Sequence, residues 1–207
     1  MRSRAVSSEV ESPSRIVCLG WGSLILDART LPLRDTEKVW SRDGPLLHLE
    51  FARHSIDGRI TLVLCEGAEA CHVLWSELAV DSLAAARSAL CDREWRGADP
   101  EKVVGCWSRD NSGSSSEVER AVTSWALNRD ISGVVWTKLR PKFDSVQRVP
   151  TCDEVIAHLR RLPPEKRLEA ERYVRNAPEQ IRTRYRGRIA AELGWTYDGT
   201  ITDGYIR

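Results

Sequence analysis

The sequence predicts an α+β fold: a mixed β-sheet built largely from the first half of the chain, followed by a C-terminal helical extension. Three observations predict it. Short apolar runs dominate residues 15–75, two of them joined by the turn signal Asp57-Gly58. Helices interrupt these strands without the regular strand-helix alternation of a doubly wound parallel sheet. From Thr151 to Gly194 the chain reads as mostly helical, punctuated by Pro163-Pro164 and Pro178.

Taken in order, residues 1–14 (MRSRAVSSEVESPS) lack the apolar centre of a signal peptide and read as a disordered leader. Residues 15–207 read as one domain that includes a helical tail over 151–194. RIVCLG (15–20) suits a first strand, and then glycines flank Trp21 before Ser23 and Leu24. Such glycines let backbone N–H groups point into a common space, where they can hold an anion or oxyanion; a tight turn without a ligand is the other reading. LLHLEFARHS (46–55) and RITLVLC (59–65) form a hairpin around Asp57-Gly58, both of which tolerate positive φ. CHVLW (71–75) is a further strand.

DSLAAARSALCDREW (81–95) reads as a helix, with Asp81 placed to cap it and Leu83, Ala86 and Leu90 as its apolar stripe. At about 100° per residue, Glu94 returns to within about 20° of Leu83, so a carboxylate ends the buried face. KVVGCWS (102–108) reads as a strand and RDNSGSSS (109–116) as a mobile loop. Ser116–Glu119 has capping-box spacing and opens a helix to about residue 128. ISGVVWTKL (131–139) is a central strand, and Thr151–Glu154 is a second capping box that opens the tail.

Composition excludes more than it selects. Thirty-one Lys and Arg against thirty Asp and Glu leave a formal charge of +1, so no overall field draws the chain to nucleic acid or to acidic lipid. The six cysteines contain no Cys-x-x-Cys pair and sit beside aliphatic residues, as reduced thiols do, which suits the cytoplasm. No apolar run approaches a membrane span. His48, His54, His72 and His158 show no ligand spacing, so neither metal nor cofactor is expected. Leu24-Ile25 follow Gly22-Ser23 where a nucleophile elbow needs its second glycine, and no Walker loop is present. In IRTRYRGR (181–188), arginines beside Tyr185 can grip RNA, but Arg182 and Arg186, like Arg184 and Arg188, are helical neighbours. A solvated helix face is expected, with one arginine turned inward to a carboxylate as a related outcome.

The order of strand, Gly-Ser-Leu turn, strand pair around Phe51-Ala52-Arg53, Leu74-Trp75 and helix ending in Glu94 resembles the gamma-glutamylcyclotransferase-like family over residues 16–95. The resemblance implies a mixed, partly closed barrel. In that family a Tyr-Gly-Ser-Leu or Tyr-Gly-Ser-Asn loop after the first strand binds the α-carboxylate end of a γ-glutamyl group; it maps onto Trp21, Gly22, Ser23 and Leu24. Glu94 is the implied acid/base, and Arg53 a candidate partner for a substrate carboxylate. The implied reaction cyclises the γ-glutamyl group of a small amine, peptide or metabolite to 5-oxoproline and releases the amine. A catalytically inactive small-ligand-binding protein of the same fold is the alternative.

Trp21 departs from the family's tyrosine, removing any hydrogen bond from that phenol. The tail from residue 151 has no counterpart in the compact members, and its Tyr173, Tyr185 and Trp195 either line the far wall of a pocket or dock helices. For Glu94, an ion pair with Arg53, Arg87 or Arg93 is the competing structural role.

Overall fold

The apolar run Ile16–Gly20 forms strand β1 in the computed structural model of the protein, which describes residues 15–35, 40–113 and 116–199. All five residues of β1 are buried, as a strand covered on both faces requires. It pairs antiparallel with β5 (Leu74–Glu77) and parallel with β7 (Gly133–Thr137), and β7 pairs antiparallel with β6 (Val104–Ser108). The resulting four-stranded sheet has the order β5-β1-β7-β6 and carries helix α2 (Leu83–Glu94) against β1, β6 and β7.

A second sheet has the order β3-β2-β4, from β2 (Leu46–His54), β3 (Ile60–Leu64) and β4 (Ala70–His72). Only Val73 separates β4 from β5, so one extended segment passes from this sheet into the other, and the Val73 amide donates to Pro45 O at 3.1 Å. The fold is therefore mixed α and β, and no closed barrel forms among the described residues.

The β2-β3 hairpin turns where the sequence places it. Ser55 N–H donates to Arg59 O at 2.9 Å, and Gly58 takes φ +93°, a backbone state that glycine enters without steric cost. Asp57 keeps negative φ. The register shifts between Phe51 and Arg53, a bulge at Ala52 that re-aims the end of β2.

Both capping boxes form, opening α4 (Glu117–Leu127) and α5 (Cys152–Arg161). The tail continues through α6 (Pro164–Asn176) and α7 (Arg184–Leu193), which ends at Gly194 with φ +75°. Buried Glu50 on β2 accepts the Thr183 hydroxyl and the Tyr185 amide (3.2 Å), fixing the N-terminus of α7 to the second sheet.

Several expectations shift. Ser82, not Asp81, caps α2, with Ser82 Oγ accepting the Ala85 amide at 3.2 Å. Residues 100–103 form a helical turn, α3 (Pro100–Val103), because Asp99 caps it and Pro100 opens it; β6 starts only at Val104. Helix α7 begins at Arg184, so Arg182 lies before it and pairs with Glu179 instead. Arg186 does turn inward, but it meets carbonyls, not a carboxylate: those of Val174, Ala177, Pro178 and Ile181. The leader 1–14, and Ser114 and Ser115 of the loop read as mobile, lie outside the described residues. Among the described residues no helix is long and apolar enough to cross a membrane. All six cysteines are free thiols.

Candidate active site

The glycines around Trp21 answer to close approach. A Cβ on Gly20 would stand 2.7 Å from the Trp40 ring and 2.8 Å from Ile25. A Cβ on Gly22 would occupy the place of the Tyr173 hydroxyl. Gly22 then leads into the single turn α1 (Ser23–Leu26), with Ile25 N–H donating to Gly22 O and Asp27 N–H to Ser23 O, each at 3.0 Å. The amides of Ser23 and Leu24 begin that turn, where a helical turn supplies no internal acceptor.

This loop forms one wall of a cavity of about 500 Å³. Trp21, Gly22, Ser23, Leu24, Arg53 and Glu94, the six residues selected from the sequence, all line it. Glu94 arrives as the last residue of α2, and its side chain is 13% exposed. Its neighbour Arg93, 4% exposed, donates Nη1–H to Glu94 Oε1 at 2.7 Å. Arg93 Nη2–H donates to Ser23 O at 3.0 Å and also to Asp27 O. One guanidinium therefore ties the end of α2 to the loop after β1. Oε2 of Glu94 accepts no hydrogen bond among the described residues.

The competing ion pair thus forms, with Arg93 as partner. Arg87 pairs with Glu101 at 3.6 Å, and Arg53 Nη1–H donates to Arg140 O at 2.9 Å. Burial raises the Glu94 pKa above the usual carboxylate value and outweighs the opposing pull of Arg93 and Arg29.

A further part of the lining is cationic. Arg53 and Lys142 form a parallel β-bridge, which sets their side chains next to each other, and His54 N–H donates to Lys142 O at 2.7 Å. Neither cation has a carboxylate partner among the described residues. Burial lowers the Arg53 pKa from its ordinary value, as desolvation of an uncompensated cation does. Asp57, against the upward push of burial, is held at about 2 by hydrogen bonds from Arg59 and Ser55. The lining set Arg29, Arg53, Arg59, Arg93 and Lys142 exceeds the acids Asp57 and Glu94, so the cavity favours an anionic ligand.

Of the three tail aromatics, Tyr173 reaches the cavity, while Tyr185 donates its hydroxyl to Pro150 O at 2.7 Å and Trp195 is buried beneath Arg167. Sequence reasoning did not find Lys142, which lies in an irregular segment with no period to reveal its direction. Arg93 appeared only as an antagonist of Glu94, and nothing in the spacing shows its bonds to the carbonyls of a segment about 70 residues earlier. Comparison with protein-family models, with curated proteins and with solved structures finds no match.

Proposed function

We propose that this chain is a gamma-glutamylcyclotransferase-like enzyme that converts the γ-glutamyl group of a small amine, peptide or metabolite to 5-oxoproline and releases the amine. The observation that carries the reading is the convergence of Glu94 and the Trp21–Leu24 loop on one cavity, joined through Arg93. The two sheets linked at Val73 are, in this reading, the family's partly closed barrel, and the protein acts in the cytoplasm.

The substrate contains both reactants, so the main task is to hold it in the attacking conformer. Arg53 and Lys142 attract its carboxylates. Glu94 takes a proton from the substrate α-ammonium, and the freed amine attacks the γ-carbonyl carbon. A new C–N bond forms as the carbonyl π pair moves onto oxygen. The pair then returns, the bond to the leaving nitrogen breaks, and Glu94 delivers its proton to that nitrogen; the extra proton left on the ring nitrogen by the attack then passes by way of Glu94 to the released amine, which departs as an ammonium. A raised pKa suits this double duty, because the same group must bind and then release a proton near neutrality. Oε2, outside the Arg93 hydrogen bond, is the oxygen assigned to it.

The 2.7 Å contact between Arg93 and Glu94 favours a second reading, a small-ligand-binding protein whose carboxylate is engaged structurally. Incubating the wild-type protein with γ-glutamyl amino acids, γ-glutamyl amines and a γ-glutamyl peptide separates the two when 5-oxoproline is quantified over time. Progressive release supports the enzyme. Calorimetric binding of glutamate or 5-oxoproline without release supports the binding protein, and neither signal removes both.

A further inference from the structure

Tyr173 is a tail residue, on α6, yet its hydroxyl lies against the loop after β1. Ring contacts and a hydrogen bond hold the side chain in place. Its ring meets Phe51 edge-on at 6.1 Å, the Arg59 guanidinium covers it at 5.5 Å, and the residue is only 4% exposed. The phenol oxygen accepts the Leu62 amide at 3.1 Å, opposite the bulge in β2. Gly22 has no side chain where that oxygen sits.

The hydroxyl hydrogen has no acceptor among the described residues, although Tyr173 lines the same cavity as Gly22 and Glu94. A buried donor without a partner is costly, and folded proteins keep few of them. Burial pushes the phenol up to about 12, against the pull of the Leu62 amide and Arg59, so at neutral pH the hydrogen stays in place and is available to donate. A ligand oxygen in the cavity would complete it.

We propose that Tyr173 is a catalytic residue whose hydroxyl donates its hydrogen bond to the γ-carbonyl oxygen of the substrate, an assignment that rests on the cyclotransferase reading above. The chemistry selects that oxygen. Arg53 and Lys142 suit carboxylates, which carry full charge before and after reaction. A neutral, buried donor matches an oxygen whose charge appears only as the amine bonds to carbon and the π pair moves outward. Tyr173 keeps its proton throughout. Its hydrogen bond strengthens in the tetrahedral intermediate and relaxes when the leaving nitrogen departs. The helical tail thereby supplies part of the reacting centre.

The test is Tyr173→Phe, which keeps the ring contacts and removes the hydroxyl. With a substrate that the wild type turns over, kcat should fall about 100-fold while KM changes less than about 3-fold. A kcat within about 3-fold of wild type overturns the assignment. Should Y173F fail to fold, 3-fluorotyrosine placed at position 173 keeps the shape and makes the hydroxyl a stronger donor; a changed kcat supports the role and an identical kcat overturns it. If the wild type releases no 5-oxoproline, it is the cyclotransferase reading that falls. Calorimetry with 5-oxoproline then tests Tyr173 alone: binding to Y173F at least about 5-fold weaker than to wild type supports the donor, and equal binding to the two proteins, or no binding to the wild type, overturns it.

Discussion

Glu94 was legible because a helix repeats its direction. Once residues 81–95 read as a helix with an apolar stripe, the acid at its end had to share the buried face, and its side chain is 13% exposed. The cause of its raised pKa is burial, with Arg93 opposing, and that balance has a stability consequence. The folded protein holds the Glu94 proton more tightly than the unfolded chain does. Its favourable contribution is therefore complete below the unfolded carboxyl value, about 4.3, and is lost as pH rises through the folded value. At pH 8 wild type therefore bears the full cost of that raised pKa, as a buried charge or a retained proton, and Gln does not. Glu94→Gln should thus melt above wild type at pH 8, with the gap narrowing toward pH 4; thermal scans at the two pH values check the sign, and a lower Tm at pH 8 contradicts it. Tyr173 and Lys142, by contrast, reach the cavity only through tertiary packing, which no local period records.

Two elements with wholly local signals, α4 and α5, open where the sequence places them. The capping boxes at Ser116 and Thr151 form because both halves of each lie within four consecutive residues. Where two local signals compete, the stronger start wins: Asp99-Pro100 makes α3 from residues that also suit a strand. The bulge at Ala52 and the inward turn of Arg186 depend on partners distant in sequence or in other elements, so spacing could not show them. Arg186 satisfies carbonyls at the end of α6 and the loop beyond it, groups that a helix terminus leaves without internal donors. Arg186→Met should remove the guanidinium donor from the Val174, Ala177 and Ile181 carbonyls, while Pro178 O keeps the Ile181 amide at 3.0 Å. It should cost about 2–4 kcal/mol, read as a lower denaturation midpoint, and an unchanged midpoint contradicts the bracing role. Because α6 carries Tyr173, the same substitution should also reduce any turnover.

At the scale of the molecule, the sequence predicted mixed strands followed by a helical tail, and the structure has that order in two sheets joined at Val73. What the pattern could not provide was the mutual placement of β1, the end of α2, the bulged end of β2 and α6 around one cavity of about 500 Å³. That placement depends on a core running from Ile16 to Trp195 and on Arg93, which fastens the acid to the glycine loop. In the proposed function this convergence performs acid-base chemistry on a γ-glutamyl group. That chemistry is tested most directly by the rate of 5-oxoproline release from a γ-glutamyl substrate, measured side by side for wild type and Glu94→Gln at neutral pH. A loss of at least about 100-fold in the variant is predicted; equal rates in the two proteins would contradict it.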